Sequence, residues 1–188
     1  MLRRILTPLL IALSALTLTL VGVAPATAAP AEQSQPLRQT VLRYDAGRAA
    51  EYTSAVTTAV RVWNSSVSNV RLEPAAAGQR AEIRIIADDG WPRAQPDGLG
   101  AGTVWMGRQA MDEGHDVLRV AAHELGHILG LPDRRTGVCG ELMSGASAGT
   151  DCDNSTPNAA EIDEVEQNFA ESEADRAPVA SEVRASVY

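Results

Sequence analysis

Two histidines four residues apart, with a glutamate directly after the first, stand in Val120-Ala121-Ala122-His123-Glu124-Leu125-Gly126-His127-Ile128-Leu129-Gly130-Leu131-Pro132-Asp133. On a helix such a pair is separated by a rise of about 6 Å and roughly 40° of rotation, so both imidazoles can reach one metal ion. Glu124 lies about 100° further round, beside the metal rather than on it. Gly130 can adopt a left-handed conformation, end the helix and turn the chain, and Pro132 blocks its continuation. Asp133 is then carried back toward the metal as an oxygen ligand. Two nitrogens, one oxygen and one open position describe a catalytic zinc site, where the metal acidifies water and polarises a carbonyl. Glu124 is the candidate general base, taking a proton from water and passing it to a leaving amine.

Other readings of the same residues are open. Without a metal, His123 and His127 would be ordinary helical histidines. Gly130 and Asp133, placed to complete a ligand set, argue against that. Two histidines and a carboxylate can also form the triad of a non-haem iron oxygenase. Such ligands usually come from barrel strands, whereas these histidines share a helix. A third alternative is a non-catalytic secreted zinc-binding protein, which would have no use for Glu124 and would fill all four positions.

The elements that must position this group can be read along the chain. Val41 to Tyr44 is expected as a strand and Arg48 to Val67 as a helix, with Tyr52, Val56, Val60, Trp63 and Val67 on its apolar stripe. Val70 to Leu72, Ala81 to Ile86 and Thr103 to Met106 are further expected strands. Asp88-Asp89-Gly90 reads as a solvated turn, and Trp91 to Gly102, rich in glycine and proline, as a surface loop. Asp116 stands just before the histidine helix, where a carboxylate can cap it. His115 does not fit the ligand spacing and is expected at the surface. Thr156-Pro157 resembles the start of a last helix, with Ile162, Val165 and Phe169 facing the core and an end near Ala170.

The histidine, glutamate, histidine, glycine and third-ligand pattern resembles the metzincin clan of zinc endopeptidases. Most of that clan has histidine as the third ligand; Asp133 instead resembles the snapalysin family, small secreted neutral proteases of Streptomyces. Trp63 to Leu72 is similar to that family's segment between its first helix and second strand. Glu141-Leu142-Met143-Ser144-Gly145 resembles its methionine turn, and the likeness covers roughly residues 40–170. The resemblance implies an α+β domain: a small mixed twisted sheet of about four to five strands, a long first helix, an active-site helix, a methionine turn and a C-terminal helix. It implies a zinc endopeptidase favouring an aromatic residue just after the cleaved bond. It places Met143 as a hydrophobic floor beneath the metal ligands, and a strand near Thr103–Met106 as the sheet edge that takes an extended substrate. It also implies a calcium ion at Asp116, although the companion position is Leu118, which offers only a carbonyl. Arg135 occupies the place where close relatives carry a tyrosine.

The chain has 188 residues, enough for one modest domain with appendages. Arg3 and Arg4, the uncharged run from Leu9 to Val23, and Ala26-Thr27-Ala28 make residues 1–28 a secretory signal peptide. Pro8 and the small-residue exit argue against an uncleaved anchor. Residues 29–39 read as a linker, 40–170 as the protease domain and 171–188 as a disordered tail. Formal net charge is −8 and every basic residue is arginine, without a basic patch, which excludes nucleic acid as an expected partner. Cys139 and Cys152 are the only cysteines. In an oxidising destination they are expected to pair, closing a short loop for about 3 kcal/mol of chain-entropy stabilisation. The expectation is a secreted, extracellular monomer acting on proteins or peptides, with no membrane contact once the leader is removed.

Overall fold

The computed structural model describes residues 39–176. The expected signal peptide, most of the linker and the last part of the expected tail lie outside the described residues. Strand β1 (Thr40–Arg48) leads through a 3-10 turn (Ala50–Tyr52) into α1 (Thr53–Ser66). Then come β2 (Val70–Pro74), β3 (Ile83–Asp88), β4 (Arg93–Pro96) and β5 (Gly102–Gly107). The short helix α2 (Arg108–Asp112) precedes α3 (Val117–Ile128), a 3-10 segment (Leu142–Ala148) and α4 (Ala159–Arg176). The sheet order is β2-β1-β3-β5-β4, parallel throughout except for β4 against β5. This is the α+β architecture with a small mixed sheet that the resemblance implied.

Alternation drives the strands onto one core: Leu42 and Tyr44 of β1, Val70 and Leu72 of β2, and Ile83 and Ile85 of β3 are all buried. The five residues of the first apolar stripe are buried as well. Trp63 has no exposed surface, and its indole N–H donates to the Ala122 carbonyl at 2.9 Å, tying α1 to α3. Gly126 sits at that crossing. A Cβ there would lie 2.7 Å from Met143 Sδ and 3.3 Å from the Trp63 ring. Gly126→Ala gains helix propensity of about 1 kcal/mol but overpacks a filled interior, where added carbon costs about 1–3 kcal/mol. The expected outcome is a lower urea midpoint with an unchanged slope; an equal or higher midpoint would show that the crossing has room.

Three expectations are corrected. The loop Trp91–Gly102 contains β4, and β4, not β5, is the sheet edge next to the histidine helix. Arg93-Ala94-Gln95-Pro96 has no apolar alternation to betray a strand, and a proline is tolerated only where a ladder ends or faces solvent. Second, Arg48 still belongs to β1, whose pairing with β3 shifts register between Asp45 and Arg48, so the helix begins later than its apolar stripe suggested. Third, α4 is capped by Asn158, one residue after Pro157, and runs to Arg176. The Asn158 side chain accepts from Glu161 N–H at 2.9 Å while the Glu161 carboxylate accepts from Asn158 N–H at 2.7 Å, a reciprocal capping box. The turn after β3 is as expected: Asp88 accepts from Gly90 N–H, and its carboxylate and that of Asp89 pair with Arg93 and Arg108.

Candidate active site

Helix α3 carries the two histidines, and its ends follow from local chemistry. At the start, Asp116 Oδ1 accepts from Arg119 N–H at 2.7 Å, the capping role expected of it. At the finish, Gly130 has φ +96°, with Gly130 N–H on the His127 carbonyl and Leu131 N–H on the Gly126 carbonyl. This pair of bonds is a Schellman ending, which satisfies the last carbonyls and reverses the chain. The reversal brings Asp133 back over the helix. Asp133 Oδ1 lies 3.2 Å from His123 Nε2 and 3.5 Å from His127 Nε2. One ligand atom from each residue lies within 4.8 Å of the others, the one such group of side chains among the described residues.

Both imidazoles are oriented by backbone carbonyls: His123 Nδ1 faces Leu142 O at 3.0 Å and His127 Nδ1 faces Leu131 O at 2.8 Å. A carbonyl can only accept, so each Nδ1 carries the proton and each Nε2 turns a lone pair toward Asp133. Burial holds His123 below the ordinary imidazole pKa, which favours that neutral form. Burial alone would raise Asp133, but the Arg135 hydrogen bond, together with the positive charge the histidines carry when protonated, outweighs it and holds the carboxyl below the usual range. Arg135, in a left-handed conformation at φ +51°, donates to Asp133 Oδ2 at 3.1 Å and leaves Oδ1 to the histidines.

Glu124 is 5% exposed, and its Oε2 has no hydrogen-bond partner. Burial first, and the negative charge of Asp133 second, push its pKa up to about 8. An unpartnered buried carboxylate oxygen beside two lone pairs and a carboxylate makes a set of groups short of positive charge. Gly145 keeps the neighbouring space clear: a Cβ there would lie 3.0 Å from His123 Cε1 and 3.7 Å from Asp133 Oδ1. The donor types, their spacing and this open side fit a divalent metal with one free position. The group opens into a cleft of about 1110 Å³ that runs past Arg93, Ala94 and Pro96 of the edge strand.

Met143 has no exposed surface and packs against α3 at Gly126. Its loop is held by the Cys139–Cys152 disulfide, as expected. His115, expected at the surface, is half-buried and meets the Trp91 ring edge-on. Two residues that the sequence reading did not single out converge on the methionine loop. Arg119, 5% exposed, donates to the carbonyls of Cys139, Glu141 and Asn154. Glu161, 1% exposed, accepts from Leu142 and Met143 N–H. A lone arginine inside an apolar helix, and the Asn-x-x-Glu capping pattern at 158–161, were the available signals.

Residues 39–172 match the Streptomyces extracellular neutral proteinase (M7) family. The chain is 40% identical over 127 residues to an extracellular small neutral protease of Streptomyces sp. (strain C5), covering 68% of this chain and 55% of that protein. It is 40% identical over 129 residues to the protein of the same name from Streptomyces caespitosus, covering 68% of this chain and 95% of that one. With the counterpart from Streptomyces coelicolor the identity is 37% over 143 residues, or 75% of this chain and 63% of that one. The chain thus spans little more than half the length of the strain C5 relative. The match embraces the sheet, the histidine helix, the reversal and the methionine loop, and with it the chain belongs to the Streptomyces extracellular neutral proteinase (M7) family, the snapalysins.

Proposed function

We propose that this chain is a secreted zinc-dependent endopeptidase. The observation that carries the reading is the convergence of His123 Nε2, His127 Nε2 and Asp133 Oδ1 beside the unpartnered Glu124 carboxylate, at the floor of an open cleft. His123, His127 and Asp133 would hold the zinc. When bound, zinc supplies a Lewis acid and water acidified toward neutral pH. The Nδ1–H bonds to Leu142 and Leu131 keep both Nε2 lone pairs aimed. Arg135 occupies one oxygen of Asp133 so that the other serves as ligand. Glu124, ionised once positive charge stands near it, accepts a proton from the attacking water and delivers it to the leaving amine. The edge strand β4 offers backbone groups to an extended peptide as one more strand. A small recess of about 50 Å³ opens beside Glu124, with Trp91, Pro92, Ala110, Val120 and Ala146 on its apolar side and His115, Asp116 and Arg119 on its polar side. The preference for an aromatic residue after the cleaved bond is carried by the family resemblance. Asp116 Oδ1 serves as the cap of α3, and a calcium ion at Asp116 rests on the family resemblance alone.

The test is casein hydrolysis before and after removal of metal with a chelator, with zinc content measured throughout. Activity is expected to vanish with the metal and return with one zinc per chain, and cut sites are expected to precede aromatic residues. Undiminished hydrolysis by metal-free protein would reject the proposal. Iron in place of zinc together with oxygen uptake would favour the oxygenase reading instead.

A further inference from the structure

The two histidines share a helix and a tautomer, but the carbonyls that orient them are not alike. The Leu142 carbonyl belongs to the peptide unit that joins Leu142 to Met143. The N–H of that same unit donates to Glu161 Oε1 at 2.7 Å, while its C=O faces His123 Nδ1 at 3.0 Å. A buried anion at one end of a planar amide polarises it and strengthens the acceptor at the other end. Glu161 Oε2 also takes Leu142 N–H at 3.2 Å and Asn158 N–H at 2.7 Å, so this carboxylate is locked by three backbone donors. Arg119 closes the frame: its guanidinium donates to Glu141 O at 2.9 Å and reaches Leu142 O at 3.4 Å. Burial holds Arg119 below the ordinary guanidinium range, an effect that the nearby charges of Glu161 and Asp116 oppose. The His127 side has no such relay. Its acceptor, Leu131 O, belongs to the peptide bond to Pro132, which has no N–H to receive a carboxylate.

We propose that Glu161 is a positioning residue for His123, acting through the Leu142–Met143 peptide unit as a carboxylate–peptide–imidazole relay. It is the counterpart of the carboxylate that commonly backs a metal-bound histidine, with one amide interposed. The inference rests on the reading of His123 as a ligand. Glu161 fixes the proton on Nδ1 and makes the opposite nitrogen the better donor. His127 is aimed by geometry alone.

The test uses metal-free, 15N-labelled protein, in which the 3 histidines can be resolved by long-range imidazole spectra. Wild type is expected to show His123 as the Nδ1–H tautomer. Glu161→Gln, which sets an amide against those N–H groups, is expected to mix the His123 tautomers while leaving His127 unchanged. The same variant should release zinc to a chelator about 10–100-fold faster, the usual range for losing an outer partner, and shift the visible bands of the cobalt-loaded protein. Glu166→Gln is the control. It alters a carboxylate of the same helix that accepts from Ser68 and Asn69 N–H and takes no part in the relay, and should leave tautomer, bands and release rate as in wild type. Unchanged tautomer and release in Glu161→Gln, or equal effects in Glu166→Gln, would overturn the relay. An Nε2–H tautomer of His123 in metal-free wild type would overturn it with no variant needed, even if Glu161→Gln does not fold. Failure of wild type to bind zinc would instead reject the proposed function, and the tautomer comparison would still decide the relay.

Discussion

Glu124→Gln is expected to bind zinc normally and to hydrolyse casein about 10²–10⁴-fold more slowly, the range lost when a positioned acid–base group is removed. The amide keeps the shape and volume of the carboxylate and has no basic oxygen for a proton. Because Glu124 Oε2 has no hydrogen-bond partner, the exchange breaks no bond there that holds the fold. Zinc content by elemental analysis should therefore be unchanged while turnover collapses. Equal hydrolysis by variant and wild type would remove Glu124 from the mechanism. The variant should also differ in stability when metal-free. The folded-state pKa of Glu124, about 8, lies above its unfolded value, so folding favours the protonated acid. Stability contributed by that form is present at low pH and is lost as pH rises toward 8, at up to about 1.4 kcal/mol per pH unit. Metal-free Glu124→Gln should accordingly gain on wild type over that window, as read from urea midpoints at a series of pH values.

Asp133→Ala should lower the affinity for zinc itself, by more than the roughly 10–100-fold typical of an outer partner. It removes the only oxygen within 3.2 Å of His123 Nε2 in the group and leaves two imidazoles without a charge to balance a dication. The fold should survive, since Asp133 is a third exposed and ends no helix; the reversal belongs to Gly130 and Leu131. Competitive titration against a chelating dye measures the loss. Wild-type affinity in Asp133→Ala would exclude the aspartate as a ligand. The contrast between the two substitutions separates chemistry from binding, since one is expected to stop turnover with the metal in place and the other to release it.

The parts of the site that were legible were those with fixed local geometry. Helical spacing joined His123 to His127, and a glycine followed by a proline announced the bend that returns Asp133. The first apolar stripe was legible because the helical period is hard to imitate. The edge strand was not, because Arg93 to Pro96 pairs through its backbone and shows neither alternation nor apolar content. Arg119 and Glu161 were missed for a different reason. Their partners are carbonyls and N–H groups some twenty residues away, and no sequence pattern marks which backbone atoms a buried charge will meet. Gly145 reads as a loop glycine until the neighbouring His123 is seen within van der Waals reach.

The brevity of β4 has a bearing on how the sheet avoids lasting association with other chains. An open sheet border invites other chains to stack against it, and long apolar borders seed fibrils. Here that border is only four residues long, bears an arginine and stops at a proline, too little to template a permanent partner. A border this short could hold a passing polypeptide only briefly, as the proposed peptidase requires.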